Sequence, residues 1–270
     1  MKTYVIAGGT GAVGFEVFKK LYDDGHKIIL LARNQAKTEK MLADFDPNRV
    51  KFIPSDLTTN AGVRQAAVAV KAETNVIDGL LHSAQIFETR DVRTEDNIPI
   101  FAAIGYLSRF HLTELLLSEL LKSEAPKVLM MIAGMKKIPE IHPEKFREFP
   151  DFSFKNYFAD GNGACLYYAK YLNQKYPKVL TACVSPGFIA SDLFDEAPLL
   201  FRLYVKFAGP FLANSAEEAA RNPYHIFSSN LIENALNFPK VKQFDQRYEI
   251  TVDQEKLDEL IKITEELTKR

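Results

Sequence analysis

Three evenly spaced glycines, Gly8, Gly11 and Gly14, lie between a short apolar run ending at Ala7 and an amphipathic stretch that begins near Ala12. No other feature constrains the fold as much. A glycine directly after a strand permits a tight turn, a second lets backbone approach a pyrophosphate, and a third lets a helix pack closely on a sheet. The helix that follows would offer the free N–H groups of its first turn, and the positive end of its dipole, to phosphates. The pattern therefore predicts a strand–turn–helix unit that binds a dinucleotide. A purely structural turn is the alternative.

Strand and helix patterns then alternate along the chain. Apolar runs at 4–7, 27–32, 50–54, 76–82, 127–132 and 179–184 read as buried strands. Helical periodicity fills 13–22, 35–45, 62–71 and 101–122, with a further helix within 157–175. Such alternation predicts a parallel sheet covered on both faces, with ligands beyond the carboxyl ends of its strands. Residues 136–160 form a Pro-, Phe- and charge-rich excursion, and 192–214 an apolar, helix-prone one. The second reads as a lid over a hydrophobic substrate through Phe201, Leu203, Tyr204, Phe207 and Phe211; a membrane-touching helix is the alternative. Residues 252–270 read as an amphipathic packing helix.

At 270 residues the chain suits one large α/β domain, spanning 1–270. Its 34 basic and 35 acidic side chains leave a net charge of −1, which gives no global field to recruit nucleic acid or anionic membrane. Cys165 and Cys183 lack metal-ligand spacing and read as buried free thiols, so no metal site is expected. No integral membrane segment, no room for a signal peptide before the first strand, and a cytoplasmic location are the expectations.

Further features agree with the glycine loop. Arg33 follows the second strand, where the ribose 2′ position is read; with Asn34 and Lys37 beside it, a 2′-phosphate fits better than a free hydroxyl. A surface arginine at a helix start is the plainer alternative. Asp56-Leu57 ends the third strand, where the carboxylate could accept from an adenine amino group or cap the next helix. After the sixth strand, Ser185-Pro186-Gly187-Phe188-Ile189-Ala190-Ser191 could turn backbone N–H groups and the Ser191 hydroxyl toward a nicotinamide carboxamide.

With these residues the chain resembles the short-chain dehydrogenase/reductase family along nearly its whole length. The stretch Phe110-His111-Leu112-Thr113-Glu114-Leu115-Leu116 and the ending Gln243-Phe244…Leu260…Glu265-Glu266-Leu267 are similar to the retinol-dehydrogenase-like branch. The resemblance implies a single doubly wound Rossmann fold with a parallel sheet and a small helical lid. It also implies NADP(H) as cofactor, held by Gly8, Thr10, Gly11, Ala12, Val13 and Gly14 in the loop and first helical turn, and by Arg33, Asn34, Asp56 and Leu57 beyond the next strands. Ser83 and Ala84 after the fourth strand, and Pro186, Gly187, Ile189 and Ser191 after the sixth, complete the set. Ala7 and Ala12 depart from the family's Thr and common Gly. A homodimer through helices 101–122 and 157–175 is a further implication.

The family's catalytic Asn, Ser, Tyr and Lys are eroded. Ala133 stands where the serine would be, Gly105 at the helical Asn, and His82-Ser83-Ala84-Gln85 replaces Asn-Asn-Ala-Gly. Tyr167-Tyr168-Ala169-Lys170 lacks the required spacing, because Leu166 stands four before Lys170. Aligning the apolar pattern places Tyr157 at the family's tyrosine and Gly161 at its lysine, or Asn156 and Asp160 one residue earlier. Tyr157, an unassisted phenol with a pKa of about 10, and Asp160 are the candidate catalytic residues. Lys136, Lys137, His142 and His82 border the same region, and surface or packing roles are the plainer reading for each. Two functions follow: a reductase of a hydrophobic, activated acceptor, or a redox-inactive homologue used for non-redox catalysis or nucleotide sensing.

Overall fold

The computed structural model describes residues 1–149, 153–194, 197–230, 236–241 and 243–269. Their centre is one eight-stranded sheet in the order β3-β2-β1-β4-β5-β6-β7-β8. Six strands match the expected apolar runs: β1 (Thr3–Ala7), β2 (Lys27–Ala32), β3 (Val50–Pro54), β4 (Gly79–His82), β5 (Lys127–Met131) and β6 (Leu180–Val184). All six run parallel, with Ala7 paired to Leu31 on one side and to His82 on the other. The order reverses between β1 and β4, and the glycine loop leaves β1 at that point. Crevices at such reversals, beyond the carboxyl ends of the strands, are where open α/β sheets bind ligands.

The sheet extends further than the apolar runs indicate. β7 (Leu236–Phe238) joins in parallel to β6, and β8 (Tyr248–Glu249) closes the edge antiparallel to β7. Both are short, too brief to show a strand period.

Helices cover both faces. One core cluster joins the sheet to α3 (Asn60–Glu73), the long helix Ile100–Leu120, α7 (Phe154–Lys175) and α10 (Gln254–Thr268). The other joins it to α1 (Ala12–Asp23) and α9 (Ala216–Ser228), while α2 (Gln35–Leu42) leads into the β3 edge. Helix α9 lies outside the sequence-based expectations. A capping box starts it: Ser215 Oγ accepts from Glu218 N–H, and the Glu218 carboxylate accepts from Ser215 N–H. Its other end rests on Lys127, whose buried ammonium donates to the carbonyls of Ile226, Phe227 and Ser229 at 2.6–3.1 Å.

The long helix is not uniform. It opens as α4 (Ile100–Ala102), widens to a π-turn at Ala103–Leu107, and continues as α5 (Ser108–Leu120). Gly105 sits inside the π-turn, and its carbonyl accepts from the Cys165 thiol at 3.3 Å. The helix is long and apolar enough to cross a bilayer, but 83% of its apolar window is buried inside the protein, as in a core helix. A single turn, α6 (Lys145–Glu148), and the lid helix α8 (Leu199–Leu212) occupy the two excursions.

Candidate active site

Backbone geometry at the β1–α1 turn builds the cofactor end of the site. Gly8 has φ +85°, and a Cβ there would lie 2.3 Å from the Ala84 nitrogen, so only glycine fits between β1 and the end of β4. A Cβ on Gly14 would fall 2.6 Å from both the Gly8 carbonyl oxygen and Ser83 Oγ, which is the close helix–sheet approach expected of the third glycine. Ser83 Oγ secures the turn by donating to the carbonyls of Ala7 (2.9 Å) and Gly8 (3.2 Å). Gly11 occupies the N-cap of α1 and supplies no side-chain cap, so the first-turn N–H groups point at the adjacent pocket without a capping oxygen.

That pocket has a volume of about 520 Å³ and runs along the carboxyl ends of β2, β1, β4, β5 and β6. It brings together nearly all the expected cofactor residues: Gly8, Thr10, Gly11, Ala12, Val13 and Gly14; Arg33 and Asn34; Leu57; Ser83 and Ala84; Pro186, Gly187, Ile189 and Ser191. Lys37 lies on the same wall as Arg33. Asn34 Oδ1 accepts from Lys37 N–H at 2.8 Å, which caps α2 and holds that corner. The open first turn of α1, the glycine contacts and the basic corner fit a dinucleotide.

Three expected residues fall outside the pocket. Asp56 accepts from Thr58 N–H and Thr58 Oγ1 at 3.0 and 2.7 Å, a turn within the β3–α3 loop, while Thr59 caps α3. The helix-capping role therefore belongs to Thr59, while the Asp56 carboxylate is exposed at the β3–α3 loop with both of these contacts on one oxygen. Tyr157 is only 5% exposed and its ring packs against Phe149 with centroids 6.0 Å apart, on the core side of α7. Asp160 is buried beside His142, 3.5 Å away, and burial pushes its carboxyl above the usual carboxylate range, with His142 offsetting part of that. The correction is one of helical register. Adjacent helical residues differ by about 100°, so with Tyr157 in the core it is Phe158 that faces the pocket. One turn later Asn162 accepts from Ala133 N–H at 2.8 Å and donates to the Phe158 carbonyl, locking α7 to the end of β5.

The remaining candidates resolve as packing or surface groups. His82 is buried with Nε2 2.8 Å from Thr113 Oγ1, and desolvation, then the Arg109 charge, holds its pKa down at about 3. Lys136 and Lys137 are exposed and do not line the pocket. Tyr168 donates to Glu114 deep in the core, and Lys170 pairs with Glu249 at 3.2 Å.

The inner end of the pocket is apolar: Ile86, Ile104, Met131, Ile132, Ala133, Phe158, Phe188, Leu193 and Phe194. Gln85 reaches this end as well. Its Oε1 accepts from Ile86 N–H at 3.2 Å, which leaves the amide nitrogen as the donor it can offer. Gly105 lies beside it: a Cβ there would sit 3.7 Å from that Oε1, in ordinary contact. The signal in the sequence was Gln85 itself, the last residue of the altered His82–Gln85 run.

The lid also differs from expectation. Because α8 is helical, Phe201 turns inward, stacked on Phe87 with centroids 5.3 Å apart and meeting Phe194 at 5.3 Å. Leu203, Phe207 and Phe211 face solvent instead of the substrate. The Tyr204 side chain, and residues 150–152 and 195–196 of the two excursions, lie outside the described residues. At the turn after β6, Gly187 N–H donates to Ser185 Oγ at 3.1 Å, so carboxamide contacts fall to the residues beyond it.

The family profile described as short chain dehydrogenase matches residues 2–143. The chain belongs to the short-chain dehydrogenase family. It is 22% identical over 228 residues to polyprenol dehydrogenase from Homo sapiens, covering 80% of this chain and 69% of that one. Retinol dehydrogenase 13 from Mus musculus is 27% identical over 141 residues, 51% of this chain and 42% of that one. Among solved structures, a short-chain dehydrogenase from Shigella flexneri 2a str. 301 complexed with NADP superposes with a TM-score of 0.68 at 17% identity, covering 88% of this chain and 95% of that one. The fold is the doubly wound Rossmann architecture of this oxidoreductase family, whose members use nicotinamide cofactors.

Proposed function

We propose that this short-chain dehydrogenase homologue is an NADP(H)-dependent reductase of a hydrophobic, activated acceptor. The observation that carries the reading is the polarity of one continuous pocket: a basic corner and an uncapped helix N-terminus at one end, an apolar chamber at the other. Arg33, with Lys37 beside it, would hold the 2′-phosphate, and the first-turn N–H groups of α1 would hold the pyrophosphate. The names of two relatives refer to polyprenol and retinol, which supports an apolar substrate.

Bound NADPH would supply a hydride. The chain's own residues bind, orient and exclude water; Ala133, at the family's serine position, and Phe158, the ring of α7 that faces the pocket, have no proton to give. An acceptor such as an iminium needs no proton, and a quinone or conjugated enone takes one from water. With a quinone or enone, the Gln85 amide would orient the acceptor by donating to the negative charge that develops on its oxygen. The second reading, a redox-inactive homologue, is favoured by Asn162, which is committed to tying Ala133 and Phe158 together.

Loss of NADPH absorbance in the presence of iminium, quinone and enone acceptors separates the two. Turnover with at least one acceptor is expected. In the Gln85→Leu variant quinone or enone turnover should fall about tenfold with NADPH affinity unchanged. No oxidation with any acceptor, despite tight NADPH binding, would establish the redox-inactive reading.

A further inference from the structure

Helix α8 carries the largest run of exposed apolar side chains in the described residues. Leu200, Leu203, Phe207 and Phe211 recur at helical spacing on one face; Leu200 is 82%, Phe207 69% and Phe211 87% exposed. The opposite face is committed to the protein through Phe201, and a Cβ on Gly209 would lie 2.8 Å from Ala190 Cβ. The helix is therefore anchored against the pocket wall while its apolar face points outward. Clustered apolar exposure of this kind marks an interaction surface.

Charge identifies what covers it. The charged residues of α8 are Arg202 and Lys206, both exposed, and the helix holds no Asp or Glu. The acids that begin α9 are engaged elsewhere: Glu217 lies 3.7 Å from Lys20, and Glu218 completes the Ser215 capping box. A two-fold pairing with a second copy would bring Arg202 and Lys206 toward their own counterparts with, among the described residues of the helix, no acid to offset them. At 14 residues the helix is about 21 Å long, short of the roughly 30 Å hydrocarbon layer, so it cannot span a bilayer. An outward face of leucine and phenylalanine with exposed lysine and arginine along one side suits a helix lying in the plane of an anionic lipid surface.

We infer that α8 docks the protein peripherally onto anionic lipid membrane, with Leu200, Phe207 and Phe211 inserted and Arg202 and Lys206 at the headgroups. This stands on α8 alone. Its consequence, that an apolar substrate reaches the pocket from the bilayer past Phe201 and Phe194, rests on the reductase reading.

Co-sedimentation of the full chain with phosphatidylglycerol/phosphatidylcholine vesicles tests the docking, and pure phosphatidylcholine vesicles test the charge requirement. The protein should sediment with the anionic vesicles and far less with the neutral ones. Arg202→Gln and Lys206→Gln should each weaken anionic binding roughly fivefold. A Leu200→Ser/Phe207→Ser/Phe211→Ser variant should stay in the supernatant while keeping its melting temperature and NADPH affinity in solution. Wild-type protein remaining in the supernatant with anionic vesicles, or the triple variant still sedimenting, would overturn the inference. So would a wild-type dimer that the triple variant converts to monomer, since the face would then belong to a second copy. Loss of NADPH binding is a separate result and leaves the docking inference intact.

Discussion

At the residue scale, the proposed preference for NADP(H) rests on Arg33. It lines the pocket at the end of β2 with Asn34 fixing the backbone beside it, and no carboxylate stands at that position to accept from a free ribose hydroxyl. Arg33→Asp is expected to weaken NADPH at least tenfold, about the value of one charged hydrogen bond, and NADH much less. Fluorescence titration of the two cofactors checks it; an equal loss for both would remove Arg33 from the 2′-phosphate. The glycines and Arg33 were legible in the sequence because their roles are set by local turn geometry. Tyr157 and Phe158 were not separable there. Both are aromatic and adjacent, and which one enters the core depends on how Asn162 seats α7 against β5.

At the element scale, the six parallel strands were readable because buried parallel strands are continuous apolar runs. The sheet's far edge was not, because β7 and β8 take their positions from β6 and from each other rather than from a pattern of their own. Helix α9 had a local start signal in Ser215 and Glu218, but its other end depends on Lys127, nearly a hundred residues earlier. A lysine in an otherwise apolar strand looks like an edge residue until the structure shows it beneath a helix C-terminus, where a cation favours the unpaired carbonyls. Burial nevertheless lowers its pKa to about 8. Lys127→Met leaves three carbonyls without that donor and is expected to destabilise the protein by about 2 kcal/mol in urea unfolding. A change within experimental error would show that water satisfies those carbonyls equally well.

At the scale of the whole molecule, the C-terminal helix closes back on the core. Helices α5, α7 and α10 share one buried cluster, and Tyr106 Oη lies 3.0 Å from Thr264 Oγ1. Acid response is also a global property. His111, hydrogen-bonded to Asn60, is held down at about 4, first by burial and then by Arg64, and His82 is at about 3. Both lie below the roughly 6.5 of an unfolded histidine, so on acidification the unfolded chain takes up protons first. Their contribution is complete above about pH 6.5 and is lost as pH falls toward 4. Asp160 and Glu114, raised by burial, act in the opposite sense. The clean readout is therefore a comparison of melting temperature against pH for wild type and a His82→Gln/His111→Asn variant. The wild type should lose more stability between pH 7 and 5 than the variant; parallel curves would show that neither histidine is held neutral.

The most direct measurement is calorimetric titration of the purified protein with NADPH, NADP and NADH. The basic corner, the uncapped α1 N-terminus and the glycine contacts together predict micromolar binding with the phosphorylated cofactors preferred. No heat of binding from any of the three would contradict the cofactor site and leave the glycine loop as a structural turn.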